Sequence, residues 1–446
     1  MAASRKSRWH LEKSRARSNS LTEGSTLRCE EPIFGSSHFY LQIFDRPTVF
    51  ARIASNLILL LAAGFALPAS AHDPSAWGGL FRSRDFGASW FPADAGLFIG
   101  GALGIAIHPQ DPAQLLYGTD ARLLRSKNGG RDWVTEASAT MPGAVFAVAF
   151  DADGRGALAS SGTRIFYTDD GIAWQDALAP GGAAPARAFV RSATTTNRIY
   201  LAGARGLFVS EDRGRSWSRA GDGVLPESGV STIVVTPGPV ENVYAVIGGN
   251  IWMSGDGGLD WRMRSAGLPA GHVDALAVDV NKAGRLWNAA AAQVFSSEDA
   301  GATWMVHGRP LPEPGTLVRG VAVSEDGKVL VLSTHRGVLR STDGGQTWAQ
   351  VESTLPVHLE SGLLLRDPHD PATLYAGFSL TPYGEMWRRA EQGGSLLAQL
   401  DPVSLAGGVA FLLFLVVTGV LATRSLMRRY HGADNTPAFV EGKKIR

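Results

Sequence analysis

Cysteine is almost absent from this chain of 446 residues: its one thiol is Cys29. That thiol lies ahead of a processing site expected after Ala71, so the processed protein is expected to have neither a disulfide nor a cysteine nucleophile. A strong charge of either sign is lacking too. The formal net charge is +1, and the basic excess sits at the two ends: nine Lys/Arg against five Asp/Glu over residues 1–71, and six against two over 424–446. The stretch between carries 27 Lys/Arg against 34 Asp/Glu. A mildly acidic body offers no clustered basic face for phosphates, which argues against a nucleic-acid binder. Spacings of the H-x-x-x-H or C-x-x-C kind and phosphate-cradling loops are missing as well, so no metal or cofactor is implied.

Long apolar runs are few, and two of them set the expected topology. Residues 57–67 (LILLLAAGFAL) are too short to span a bilayer comfortably. With Arg52 before them and Ala69-Ser70-Ala71 after them, residues 51–71 have the build of a secretory signal peptide. Residues 1–50 read as an extension, either disordered or translated from too early a start. Residues 404–423 (SLAGGVAFLLFLVVTGVLAT) are uncharged over a length that could cross the hydrocarbon core as a transmembrane helix. Arg424, Arg428 and Arg429 follow at once, which places the 424–446 tail on the cytoplasmic side and the body outside, periplasmic in a bacterium.

Glycine, proline and tryptophan are plentiful instead, at 53, 23 and 12 residues, a composition suited to short strands and tight turns. Self-similarity is the dominant feature. The octet S-x-D-x-G-x-x-W appears as SRDFGASW (Ser83, Asp85, Gly87, Trp90), SKNGGRDW (Ser126, Gly130, Trp133) and SEDRGRSW (Ser210, Asp212, Gly214, Trp217). It recurs as SGDGGLDW (Ser254, Asp256, Gly258, Trp261), SEDAGATW (Ser297, Asp299, Gly301, Trp304) and STDGGQTW (Ser341, Asp343, Gly345, Trp348). A weaker copy is YTDDGIAW, with Asp169, Gly171 and Trp174. Successive tryptophans are 43, 41, 43, 44, 43 and 44 residues apart.

Each interval repeats one internal order. An apolar strand comes first, as at 145–150 and 318–323, then a polar turn and a second strand, as at 198–202 and 373–376. A third strand, as at 206–209 and 337–340, leads into the octet, and the fourth runs through its Trp. Four short antiparallel strands per repeat is the period of a β-propeller blade. Because the first hairpin (80–90) precedes any first-and-second pair, it is expected to close the ring on the pair at 362–365 and 373–376, leaving no exposed edge. Residues 386–395 (MWRRAEQGGS) read as a degenerate eighth hairpin, an extra strand or the third strand of the last blade. The reading is an all-β, seven-bladed propeller over 72–397, a linker at 398–403 and the transmembrane helix at 404–423, with eight blades as the alternative.

The octets are identified as Asp-box (BNR) repeats, found in sialidases, in some glucan-cleaving glycosidases and in sortilin-type receptors. The blade unit, with Tyr375-Ala376-Gly377 and Gly337-Val338-Leu339-Arg340-Ser341, resembles the photosystem II assembly and stability factor family of seven-bladed propellers over roughly residues 77–395. That resemblance implies a non-enzymatic protein that holds a membrane-protein subunit during assembly. It also implies that the Ser, Asp, Gly and Trp residues of the octets are structural.

Residues that could carry chemistry are few. Tyr117, Tyr200, Tyr244 and Tyr375 recur at one place on the second strand, which marks them as packing residues rather than nucleophiles. A glycosidase needs two carboxylates across the scissile bond, whereas most acids here recur with the octets or sit in turns. Asp274, near the start of a first strand, could face a central channel and is the carboxylate to substitute first. His108 and His369 stand in matching turns, HPQDP and DPHDP. Arg82, Arg125 and Arg340 share one slot, one residue before the octet Ser, where they could meet an acidic partner or pair with turn acids. The expected partner is a membrane protein or complex subunit. The alternatives are a membrane-anchored, sialidase-like glycoside hydrolase and a non-catalytic carbohydrate-binding or receptor ectodomain.

Overall fold

The computed structural model describes residues 78–392, apart from 95, 137–139, 142, 237–240, 280, 283, 353 and 357, and a helix at 402–431 whose side chains are described over 410–425. The extension at 1–50, the signal peptide at 51–71 and most of the linker lie outside the described residues.

Seven four-stranded antiparallel sheets make up the body. Numbered in chain order, the blades open with the first strands Ala102–Ile107, Val145–Phe150, Ala188–Arg191, Val230–Val235, Val273–Val278, Val318–Val323 and Glu360–Arg366. These first strands neighbour one another all the way round, the seventh returning to the first. Blade 7 is built from both ends of the body: Glu360–Arg366 and Leu374–Ser379 are joined by Gly79–Ser83 and Phe91–Pro92. Gly79 to Ser83 pair residue by residue with Phe378 to Leu374, which shuts the ring on a full set of ladder bonds.

Apolar side chains are buried between blades. Seven clusters each join two neighbours around the ring, as Phe208, Trp217 and Leu158 do between blades 3 and 2. Each octet Trp packs toward the preceding blade, and Trp90, on blade 7, is 1% exposed against blade 6. An indole is large enough to fill the wedge between two diverging sheets.

The two ends of the disc differ. One, the box end, carries the octet turns and the turns from first to second strand. The other carries the turns from second to third strand and the connections between blades. There, six of the seven first strands have a β-bulge near their start, which re-aims a side chain. The bulged residues include Leu103, Phe146, Ser231, Asp274 and Arg319.

After Ser379 the chain forms helix α1, Tyr383–Glu391, at this second end. Residues 386–391 therefore belong to a helix and not to an eighth hairpin; Gly394 and Ser395 lie outside the described residues. The apolar positions Met386, Trp387 and Ala390 recur at helical spacing and face inward. Helix α2, Pro402–His431, contains the uncharged run 404–423. Among the described residues, which include the side chains of α2 only over 410–425, no helix is long and apolar enough to cross a membrane.

Candidate functional site

The octet side chains form the same small network at each turn. In the first copy the Ser83 hydroxyl donates to Asp85 Oδ1 (2.8 Å) and accepts the Gly87 amide (2.8 Å), while Asp85 Oδ1 accepts the Ser89 amide (2.8 Å). Ser210, Ser254, Ser297 and Ser341 repeat the hydroxyl-to-carboxylate bond with Asp212, Asp256, Asp299 and Asp343, at 2.7–2.8 Å. Asn128 replaces the carboxylate beside Ser126. In the weak copy the bond runs from Thr168 to Asp170 (3.0 Å), so the box is one residue shorter than its alignment suggests. Asp169 instead pairs with Arg215 (2.6 Å). Bonds from the Thr303 and Thr347 hydroxyls and amides, followed by the box serines, hold Asp299 and Asp343 down to about 2. A carboxylate so committed to its own turn is a poor proton donor.

The octet glycines also meet the preceding blade. Gly214 has φ +89°, and a Cβ there would lie 2.3 Å from Leu158 Cδ2 of blade 2. Gly87 has φ +80°, and its Cβ would lie 2.9 Å from Val331 of blade 6. Glycine serves both the left-handed backbone and the close approach.

Arg82, Arg125 and Arg340 tie one blade to the next. Arg82 Nη1 donates to the Gly129 carbonyl (2.9 Å), Arg125 Nη2 to that of Gly171 (3.3 Å) and Arg340 Nε to that of Phe86 (3.1 Å). Each of these carbonyls precedes the octet glycine or is its own, in the shortened box. Arg125 also forms an ion pair with Glu136 (2.8 Å). Tyr200 and Tyr244 do the same work in their blades, donating to Gly257 (2.9 Å) and Ala300 (3.3 Å). His108 and His369 are turn residues: His108 Nδ1 accepts the amides of Gln110 and Asp111, and His369 Nε2 lies 3.0 Å from the His108 carbonyl. Among the described residues, no three His, Cys, Asp or Glu side chains gather as a metal site.

The non-repeating chemistry is at the other end, around α1. Met386, Trp387 and Ala390 pack with Leu103 of blade 1 and Phe146 of blade 2. Trp387 meets the Phe146 ring edge-on at 5.4 Å, and the Arg187 guanidinium of blade 3 stands 3.9 Å from the Trp387 centroid. Burial, with repulsion from Arg319 behind it, lowers Arg187 to about 10. Tyr383 donates to the Ala102 carbonyl (2.6 Å), and its ring fills the space a Cβ on Gly362 of blade 7 would need. Its amide donates to Glu360 (2.9 Å), which also pairs with Arg319 of blade 6 (2.8 Å). Burial pushes Glu360 up, but the bonds from Arg319 and Tyr383 outweigh it and leave the carboxyl low. The helix thus leans on five blades around the start of the first strands.

Asp274 belongs to the same set of bulged positions, on blade 5. Burial raises its carboxyl above the ordinary range, against the opposing pull of the Val318 amide, His272 and His335. Sequence reasoning found Asp274 but not its setting. The set is invisible to blade-period reading because its members share a place and not a residue type, and Tyr383 stood outside the repeat. The helical spacing of Met386, Trp387 and Ala390 was the available signal, obscured by the octet-like glycines that follow.

No protein-family model matches this chain. A curated protein, described as a probable oligoxyloglucan-reducing end-specific xyloglucanase of Neosartorya fischeri, is 27% identical over 190 residues, 39% of this chain and 22% of that protein. The chain therefore matches about a fifth of that relative's length. Among solved structures, YCF48 bound to D1 peptide is 16% identical with a TM-score of 0.46, covering 64% of this chain and 95% of that one. YCF48 from Cyanidioschyzon merolae is 17% identical with a TM-score of 0.47, covering 64% and 97%. The GH74 enzyme of Niastella koreensis is 20% identical with a TM-score of 0.41, covering 54% and 36%.

Proposed function

We propose that this chain is a non-catalytic, membrane-tethered propeller that holds another membrane protein, as a scaffold or assembly factor. In this reading residues 51–71 direct export, 404–423 span the bilayer within α2, and 424–446 remain on the cytoplasmic side. Twenty uncharged residues followed by three arginines support the span. Recognition is by a rigid loop surface, and the tether raises the local concentration of propeller around a client in the same membrane.

The observation that carries this reading is the use of the side chains. Octet hydroxyls and carboxylates are engaged in their own turns, the arginines before them tie blades together, and α1 occupies the place where the first strands begin. In vivo crosslinking followed by detergent extraction tests it. One stoichiometric membrane partner should co-purify with the full chain, and its absence under conditions that crosslink known neighbours would contradict the proposal.

A second reading, a membrane-anchored glycoside hydrolase, is favoured by the raised carboxyl of Asp274, the property a general acid needs. Hydrolysis in a panel of sialosides, glucosides and xyloglucan oligosaccharides, abolished by Asp274→Asn, would establish it. Saturable sugar binding without hydrolysis would point to a carbohydrate-binding ectodomain.

A further inference from the structure

The bulge positions at the α1 end fall into an apolar and a polar group. Arg187 holds the equivalent place in blade 3: Ala188 after it pairs with Ala202, as Thr232, Ala275 and Gly320 pair with Val246, Ala289 and Ser333 after Ser231, Asp274 and Arg319. Helix α1 is seated on Leu103 and Phe146 of blades 1 and 2. Blades 3 to 6 then bring Arg187, Ser231, Asp274 and Arg319 in succession, the first two exposed and the others partly so.

Two like charges meet there. Tyr383 and Trp387 stand one turn apart on α1, with the Arg319 guanidinium 5.0 Å from the first ring's centroid and that of Arg187 3.9 Å from the second's. Arg319 is neutralised by Glu360 (2.8 Å). Arg187 is not: among the described residues its guanidinium has neither a hydrogen bond nor an ion pair. Glu391 attracts it only from a distance, its Oε1 already accepting the Trp387 indole N–H (2.8 Å). Asp274 is shifted toward its neutral form, and His272 and His335 near it bring no negative charge. Arg131, exposed on an octet turn, lacks a side-chain partner too, but water surrounds it. Around Arg187 protein has replaced part of that water, enough to lower the group to about 10, so an unmet charge costs more there. The group is crowded by protein and still reachable from solvent. A guanidinium over an indole keeps its planar fork of N–H donors, which fits the edge of a carboxylate or phosphate.

We propose that Arg187, with Ser231 of the next blade, binds a small oxyanion at the α1 end, the carboxylate or phosphate group of a ligand. Trp387 holds the guanidinium in place, and Arg319 adds positive charge from blade 6. The site goes beyond the scaffold reading and stands whether or not that reading holds.

Phenylglyoxal labelling of the full chain in an uncharged detergent, read residue by residue by peptide mass mapping, tests this. In sodium chloride Arg187 should be labelled. Millimolar inorganic phosphate or acetate at the same ionic strength should slow its labelling by about tenfold and leave Arg131 unprotected. The stronger protector of the two names the group the site prefers. Arg187→Met keeps an apolar stem over Trp387 and should abolish saturable uptake of that anion in equilibrium dialysis, while Asp274→Asn, which removes a negative charge, should retain or strengthen it. An Arg187 unreactive in chloride, no protection by either anion, equal protection of Arg131, or uptake undiminished in Arg187→Met would each overturn the site. Should Arg187→Met fail to fold, the labelling of the wild type decides alone.

Discussion

At the box end of the propeller one turn recurs seven times with similar bonds; at the α1 end the same bulge carries Leu103, Phe146, Ser231, Asp274 and Arg319, two apolar side chains, a hydroxyl, an acid and a base. The carboxylates follow the division. Hydrogen bonds outweigh burial and keep Asp85, Asp212 and Asp256 low at the box end, whereas burial lifts Asp94, Asp120 and Asp274 at the other. Asp151, raised at the box end, and Glu360, held low beside Arg319, are exceptions with their own causes. Repetition in this fold marks what holds the disc together, and departure from repetition marks what sets this protein apart.

Breaking a seam should cost most. Trp90→Ala empties the wedge between blades 6 and 7 at the point of ring closure, and thermal or urea unfolding should show a loss of about 3–5 kcal/mol. A loss as small as that of an exposed substitution such as Ile172→Ala would mean that the octet indoles do not carry the seams.

Asp94 sharpens the electrostatic contrast. It accepts the Leu80 amide (2.8 Å) and the Tyr117 hydroxyl (3.0 Å) on one oxygen, and burial raises it to about 6. The folded state therefore binds a proton that the unfolded state releases between about pH 4 and pH 6, and this residue's contribution to stability falls as pH rises through that window. The difference is worth roughly 2–3 kcal/mol. Asp94→Asn keeps both accepted bonds and should remove that slope, gaining on the wild type at neutral pH. Asp299 and Asp343 act in the opposite sense: their contribution is present above about pH 4 and lost as pH falls toward 2. Equal pH profiles for the wild type and Asp94→Asn would refute the assignment.

Smaller effects probe the joints between blades. Gly214→Ala places a Cβ on a left-handed residue and against Leu158, and should cost roughly 2 kcal/mol. Arg340→Ala removes one bond to the Phe86 carbonyl and should cost about 1 kcal/mol. It should leave recovery of a crosslinked partner unchanged, because its guanidinium is turned to the neighbouring blade. Loss of the partner with stability intact would return Arg340 to the binding surface.

The fold was largely legible because its information is periodic. Evenly spaced tryptophans gave the blade length, and the order of hairpins gave the closure through Gly79–Ser83. The one-residue slip at Thr168 and Asp170 escaped notice because Tyr167 and Asp169 satisfy the octet pattern almost as well. Arg82, Arg125 and Arg340 were placed in a common slot, but their acceptors are carbonyls, which carry no side-chain signature. Asp274 could be picked out as a strand-end acid, yet the side chains that share its end of the propeller come from several blades and from α1, and nothing in their spacing links them.

The claim on which the rest depends is that α1 is seated on the starts of the first strands at that end. Hydrogen exchange on the full chain tests it directly: amides of 386–391 should exchange as slowly as those of Val145–Phe150, and Trp387→Ala should accelerate both sets. Rapid exchange over 386–391 in the wild type, with 145–150 still protected, would show that α1 is not seated there and contradict the account.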